Sequence, residues 1–372
     1  MSDEVSVIVD AGSKSIKVGF AGESFPRNVI PTVVGRFRRE GLTDGVPDIY
    51  FGGEAIKKKG ISNLSWPIEG GMVQDWDEME KLWHHVFYRE LLVAPEFSPT
   101  LISLHPLTKL RDKEKLAEIL FESFLIQDLY LAISPALVLH ASGRTTGVVW
   151  ENGYSCNYTA PVFEGFPLKH ATICSELNGK LLTERLQYLL KQVGYSFTTS
   201  CEIESVDKLK EQLCFTTTDY ELELAKAPSK EKIPFKLPDG QQVLIGDERF
   251  LCPEVLLQPS LHGLQIPSVV DNIRSSISKS DLDYKGEFYN NIVLSGGSTM
   301  FEGLPDRLFV ELRKRANDSH EMRAKIDAMP SRHLAAWIGG SIVASLSTYD
   351  NFWMSRKEYE DVGSDKVRYK FF

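Results

Sequence analysis

Asp10, Gly12 and Lys17 fall within the run Val5-Ser-Val-Ile-Val-Asp-Ala-Gly-Ser-Lys-Ser-Ile-Lys-Val-Gly-Phe. An apolar stretch, a Gly-Ser turn and an alternating stretch, in that order, predict a β-hairpin. A tight turn of this kind points successive backbone N–H groups outward, and such a nest favours phosphate oxygens. Gly12 has no Cβ and lets a ligand approach the backbone. Lys17 can reach a phosphate as a point charge, and Asp10 can hold a divalent cation through water. Taken alone, the same residues also describe a plain β-turn.

Two further segments share this grammar. Gly147-Val-Val-Trp-Glu-Asn-Gly-Tyr-Ser-Cys-Asn-Tyr-Thr-Ala-Pro repeats the order of apolar strand, acidic residue, glycine turn and β-branched or aromatic continuation, which reads as an internal duplication. Asn291-Ile-Val-Leu runs into Ser295-Gly-Gly-Ser-Thr-Met-Phe, an apolar strand followed by a double glycine and the expected start of a helix. There a planar or phosphorylated group can lie against bare backbone. A turn that needs glycine only for its geometry is the rival reading. Three glycine turns at strand ends favour a nucleotide cleft.

These turns need a scaffold. Apolar residues recur at helical spacing over residues 78–92 and 112–124, and helices are also expected over 183–193, 205–213 and 304–315. Residues 231–250 alternate around Pro238-Asp-Gly, a hairpin signal. Mixed strands and helices make the class α/β. Residues 35–53, rich in Gly, Arg and Asp, read as an exposed, mobile loop. His84 and His85 are adjacent on a helix and so diverge, which argues against a metal pair, and Lys57-Lys-Lys reads as a solvated face.

The chain has 372 residues, 42% hydrophobic and 25% charged, which excludes wholesale disorder and fibrous repeats. Its net charge of −9 argues against a partner held by bulk charge such as nucleic acid. No apolar run approaches the length of a membrane span and no signal peptide opens the chain, so a soluble protein is expected. Five cysteines without a CxxC pair read as reduced, packed thiols.

The chain resembles actin and the actin-related proteins along essentially its whole length. The resemblance is carried by Gly19-Phe-Ala-Gly, Trp76-Asp-Glu-Met-Glu-Lys-Leu-Trp-His-His-Val-Phe-Tyr, Ala141-Ser-Gly-Arg-Thr-Thr-Gly, Leu237-Pro-Asp-Gly, Leu294-Ser-Gly-Gly-Ser-Thr-Met and Trp337-Ile-Gly-Gly-Ser-Ile-Val-Ala-Ser-Leu-Ser-Thr. It implies the two-lobed fold shared with hexokinase and the Hsp70 chaperone ATPase domain, with four subdomains around a cleft. The first lobe would comprise residues 1–141 and 335–372, with an outer subdomain near 32–66. The second would comprise 142–334, with an outer subdomain near 178–264. ATP or ADP, with Mg2+ or Ca2+, is implied in the cleft.

Carried over position by position, the first phosphate hairpin falls on Asp10, Gly12, Ser13, Lys14 and Lys17, and the second on Glu151, Asn152 and Gly153. The adenosine side falls on Gly179, Lys210, Glu211, Gly296, Gly297, Met300 and His333. The cation would be held by Asp10 through water, with Glu151 as a second carboxylate. Ser134 stands where the family has a glutamine that orients the attacking water, and Tyr158 stands where it has a histidine beside that water. Tyr154 replaces an acidic residue, Lys14 a glycine of the first turn, Cys174 the arginine of the phosphate exit, Asp207 an adenosine-side arginine, His333 a lysine and Gly70 a histidine. Phosphoryl transfer depends on positioning, so slow or absent hydrolysis is expected.

The resemblance also implies partners. The family's groove for amphipathic helices corresponds to Ala141, Gly143, Thr145, Ile342, Val343, Leu346 and Thr348, with His140 replacing a tyrosine at its rim. The loop near residues 39–50, through which family members contact a neighbouring subunit, carries few apolar residues, which predicts weak homopolymerisation. The reading is therefore an actin-related protein with nucleotide as a structural ligand, acting as a subunit, cap or scaffold in a cytoskeletal or actin-containing complex. It would be cytoplasmic, with a nuclear site as the other option. The alternatives are a divergent filament-forming actin with a working ATPase, and a nucleotide-free interaction module.

Overall fold

The computed structural model describes residues 5–37, 48–226, 232–238, 240–317 and 319–371, the side chains of Ser200 and Cys201 excepted. The chain divides into two compact units. One comprises Met1–Thr145, Glu164–Lys169 and Leu334–Phe372, the other Thr146–Phe163 and His170–His333.

The first unit is organised by a sheet in the order Met354–Ser355, Asp128–Ile133, Thr100–Leu104, Val7–Ala11, Ser15–Phe20 and Asn28–Pro31. Val7–Ala11 and Ser15–Phe20 form the antiparallel hairpin expected from the sequence, and Thr100–Leu104 lies parallel to Val7–Ala11. Val7, Val9, Ile16 and Val18 are buried with Met79, Leu82, Trp83 and Phe87 of the helix that covers them. Each such side chain contributes roughly 1.5–3 kcal/mol by leaving water. On the opposite face, Trp337 is fully buried and its Nε1 donates to Ile8 O at 3.2 Å. Its helix, Ala335–Ala344, touches helix Ser134–Ala141 backbone to backbone: a Cβ on Gly339 would lie 1.8 Å from Leu137 O. The Gly-Gly pair of this motif is therefore a packing requirement.

The helix expected over 78–92 is an α-helix, Trp76–His85, that widens into a π-helical turn at Val86–Leu91 and ends at Leu92 with φ 55°. Asp75 caps it, accepting from Glu78 N. The 112–124 helix shows the same widening, α at Leu110–Glu118 and π at Ile119–Ser123. Part of the segment read as a mobile loop is ordered sheet, since Val34–Phe37 pairs with Ile49–Phe51. Residues 38–47, which hold most of the 39–50 segment expected to contact a neighbouring subunit, lie outside the described residues.

The second unit repeats the plan. Gly147–Asn152 and Asn157–Phe163 form an antiparallel hairpin, and Ile292–Ser295 lies parallel to the first of them. Both units thus carry a hairpin with a parallel strand at its side, the duplication read from the sequence. The 231–250 segment contains the expected hairpin, Ile233–Lys236 with Gln242–Ile245, and Gly240 has φ +90° at its turn. Among the described residues, no helix is long and apolar enough to cross a membrane. Cys156, Cys174, Cys214 and Cys252 are free thiols.

Candidate functional site

The first unit contributes the turn between Ala11 and Ser15, closed by Gly12 N donating to Ser15 O at 3.1 Å. Thr32 braces it from outside: its Oγ1 donates to Gly12 O at 2.6 Å and its N to Lys14 O at 3.1 Å. A Cβ on Gly12 would lie 3.1 Å from Ser15 O and 3.3 Å from Lys17 Nζ. Glycine there leaves the lysine its place. Lys17 pairs with Asp10 directly across the strands, Nζ to Oδ2 at 3.2 Å, and Ser103 Oγ donates to Asp10 Oδ1 at 2.5 Å. Ser13 is buried in the turn and Lys14 is exposed. Ser134 is buried at the first position of helix Ser134–Ala141, just after strand Asp128–Ile133.

The second unit builds an equivalent turn, closed by Gly153 N donating to Cys156 O at 2.7 Å. Glu151 and Tyr158 are directly paired across its strands, and the Tyr158 hydroxyl donates to Glu151 Oε2 at 2.8 Å. Tyr158 is 1% exposed, so its phenol is fixed as a neighbour of that carboxylate. The Asn152 side chain is fully buried and turned inward, with Nδ2 donating to Leu177 O at 3.1 Å, so this residue offers a ligand its backbone only. Asn157 Nδ2 donates to the same carbonyl and its Oδ1 accepts from Trp150 Nε1.

Helix Gly179–Gln192 begins against this turn. Gly179 N donates to Gly153 O at 2.9 Å, Lys180 N to Tyr154 O at 2.7 Å, and Leu181 N to the Asn178 side chain at 3.0 Å. These amides, which would otherwise attract an anion, are committed to the protein. A Cβ on Gly179 would lie 2.4 Å from Ser298 Oγ, which donates to Gly153 O at 3.1 Å.

The Gly296-Gly297 turn follows strand Ile292–Ser295. Gly296 has φ +89°, and a Cβ there would lie 2.3 Å from Asn152 O. Over Gly297 the space is open and Met300 is partly exposed. The chain does not enter a helix at once, as the sequence suggested. A 3-10 turn, Gly297–Thr299, comes first, and helix Leu304–Lys314 starts only after Gly303, whose φ of +76° resets the direction. Arg332 pins the turn: its guanidinium donates to Thr299 O at 2.7 Å, and its own carbonyl accepts from Gly296 N and Ser295 Oγ.

Lys210 is 3% exposed and its Nζ donates to Gly179 O at 2.8 Å, Thr183 Oγ1 at 2.7 Å and Asp207 Oδ1 at 2.6 Å. An ammonium has three protons, so these bonds use them all. Lys210 therefore holds the start of helix Gly179–Gln192, and its charge is answered by Asp207. Glu211 and His333 are exposed. Thr32, Ser298 and Arg332 are the supports that sequence reasoning missed. Ser298 lies inside the Gly-Gly-Ser motif and offered a signal there, whereas Thr32 and Arg332 offered none.

The expected groove residues belong to the first unit. Ile342 and Leu346 are 39% and 44% exposed, Val343 is buried and Gly143 has φ +71° with open space beside it. Val343 and Thr348 also line a cavity of about 330 Å³ floored by Tyr130, Phe352 and Phe371. At its edge His140 Nε2 shares a 2.8 Å hydrogen bond with the Tyr349 hydroxyl, and burial pulls the His140 pKa down.

The family model described as Actin matches the chain over residues 1–372.

Proposed function

The chain belongs to the actin family, and from that premise we propose that it binds an adenine nucleotide mainly as a structural ligand and hydrolyses it slowly or not at all. The observation that carries this reading is the Tyr158–Glu151 pair. The family position beside the attacking water holds a buried phenol whose proton is donated to a carboxylate. A phenol so engaged, with a pKa ordinarily near 10, does not accept a proton from water at neutral pH. Ser134 is a short hydroxyl where a longer amide is expected, so it extends less far towards a ligand.

The phosphate side would rest on Gly12, Ser13, Lys14 and Lys17 of one hairpin and on the backbone of Glu151, Asn152 and Gly153 of the other. The adenosine side would rest on Gly179, Gly296, Gly297, Met300, Glu211 and His333. Lys210 would act at second hand, by fixing Gly179. Bound nucleotide stabilises the native chain by mass action. Its work would be that of a subunit, cap or scaffold in a cytoskeletal, cytoplasmic assembly, with amphipathic helices entering the groove at Ala141, Gly143, Thr145, Ile342, Val343, Leu346 and Thr348.

The test is to denature the purified protein and chromatograph the released nucleotide, then to follow phosphate release by malachite green. One adenine nucleotide per chain with negligible turnover supports the reading. Brisk turnover, or pelleting as a homopolymer, favours a working filament-forming ATPase instead.

A further inference from the structure

The divalent cation that accompanies nucleotide in the actin family meets a poor set of donors in this chain. In the second unit, Glu151 Oε2 already accepts the Tyr158 hydroxyl at 2.8 Å, a bond that stabilises the carboxylate charge without a metal. Tyr154 and Ser134, at the other two relevant family positions, offer neutral oxygens. In the first unit, Asp10 and Lys17, 3.2 Å apart, match the family's pattern, with the Ser103 hydroxyl 2.5 Å from Asp10, so the departure in donors lies at Tyr154 and Ser134.

The first hairpin carries charge of the opposite sign. Asp10 contributes −1, and Lys14 and Lys17 contribute +1 each, for a net +1 where glycine at position 14 would leave the pair neutral. Charges within one turn act together, because the screening length at physiological salt is about 8 Å. Such a turn attracts a polyphosphate and repels a second cation.

We propose that this chain binds its nucleotide without needing a divalent cation, Lys14 and Lys17 neutralising the phosphate charge that Mg2+ or Ca2+ neutralises elsewhere in the family. The proposal rests on the nucleotide-binding reading above, and the experiment separates the two. ATP binding to the nucleotide-stripped full chain is measured by equilibrium dialysis in MgCl2 and in EDTA, for the wild type and for Lys14→Gly.

The expected result is a wild-type Kd that differs by less than about fivefold between the two conditions, and a Lys14→Gly protein that loses more than about tenfold in affinity when Mg2+ is removed. A larger loss for the wild type in EDTA overturns the cation inference and leaves the nucleotide reading standing. Equal binding by Lys14→Gly in both conditions overturns it as well, since charge at that position would then be irrelevant. Binding in neither condition by a wild type shown folded by circular dichroism overturns the nucleotide reading and the inference with it.

Discussion

The Tyr158 hydroxyl donates to Glu151 Oε2 at 2.8 Å between residues directly opposite one another on paired strands. Lys17 and Asp10 stand in the same relation on the hairpin of the other unit, at 3.2 Å. The duplicated plan therefore places an acidic residue and its cross-strand partner at matching positions beside each glycine turn. In one copy the partner is a cation, in the other a phenol. A hydrogen bond to a charged group contributes about 1.5–3 kcal/mol, so the phenol serves stability at a position that hydrolysis would use differently.

Restoring the family residues tests that division. The double variant Tyr158→His and Ser134→Gln places a base and a water-orienting amide at the two positions. Phosphate release, read by malachite green, is expected to rise at least about tenfold over the wild type, within the range that positioned acid–base groups supply. An unchanged rate in a variant that still retains nucleotide would show that these positions do not limit the chemistry.

Lys210 and Asp207 form a buried pair at 2.6 Å, 3% and 5% exposed. Lys210→Met removes the cation and leaves the buried Asp207 carboxylate without its ammonium partner, which should cost about 3–5 kcal/mol. Lys210→Met combined with Asp207→Leu removes both charges and should recover most of that loss. Urea unfolding of the wild type and the two variants checks this. Equal destabilisation by the single and double variants would contradict it.

The glycine turns were legible in the sequence because a tight turn is a local matter: Gly12 and Gly153 close on residues three positions later. The helices were legible for a similar reason, since helical spacing is a short-range pattern. What holds the site together was not. Arg332 reaches Thr299 across 33 residues, and Lys210 reaches Gly179 across 31. Such partners are chosen by the folded chain and leave no trace in spacing. The α-to-π widening at Val86 was equally hidden, because the same apolar side chains face the core in either helix. The inward turn of Asn152 follows from the Leu177 carbonyl that it meets, 25 residues away.

Acid sensitivity follows from three buried groups that pull in opposite directions. Burial holds His105 and His262 down to about 4, with Arg185 adding to the effect at His262. The unfolded chain takes up their protons near 6.5, so their contribution to stability is present above that pH and is lost as pH falls towards 4. Burial raises Glu254 to about 7 even though Arg307, 2.8 Å away, works against it. The native state then holds a proton that the unfolded chain releases near 4.5, so this contribution is lost as pH rises towards 7. Between about 4.5 and 6.5 the two histidines outweigh the one glutamate, and stability is expected to rise with pH. Glu254→Gln should steepen that rise and His105→Asn should flatten it, as read from urea midpoints across the range. An unchanged slope in Glu254→Gln would mean that Glu254 is ionised throughout.

Gly296 and Gly297 are neighbours with opposite tolerances. Gly296 holds φ +89°, and a Cβ there would lie 2.3 Å from Asn152 O, a backbone atom of the buried central strand that cannot yield. Gly296→Ala should therefore cost more than about 2 kcal/mol, from left-handed strain together with the clash. At Gly297 a Cβ meets nothing within 4 Å and the backbone carries no such strain. Gly297→Ala should leave urea unfolding of the nucleotide-free protein within about 0.5 kcal/mol of the wild type. If a nucleotide lies on that open backbone, the added methyl intrudes on the ligand alone, and ATP affinity should fall about tenfold, some 1.4 kcal/mol. A Gly297→Ala protein that is as stable as the wild type and binds ATP as tightly would remove Gly297 from the site.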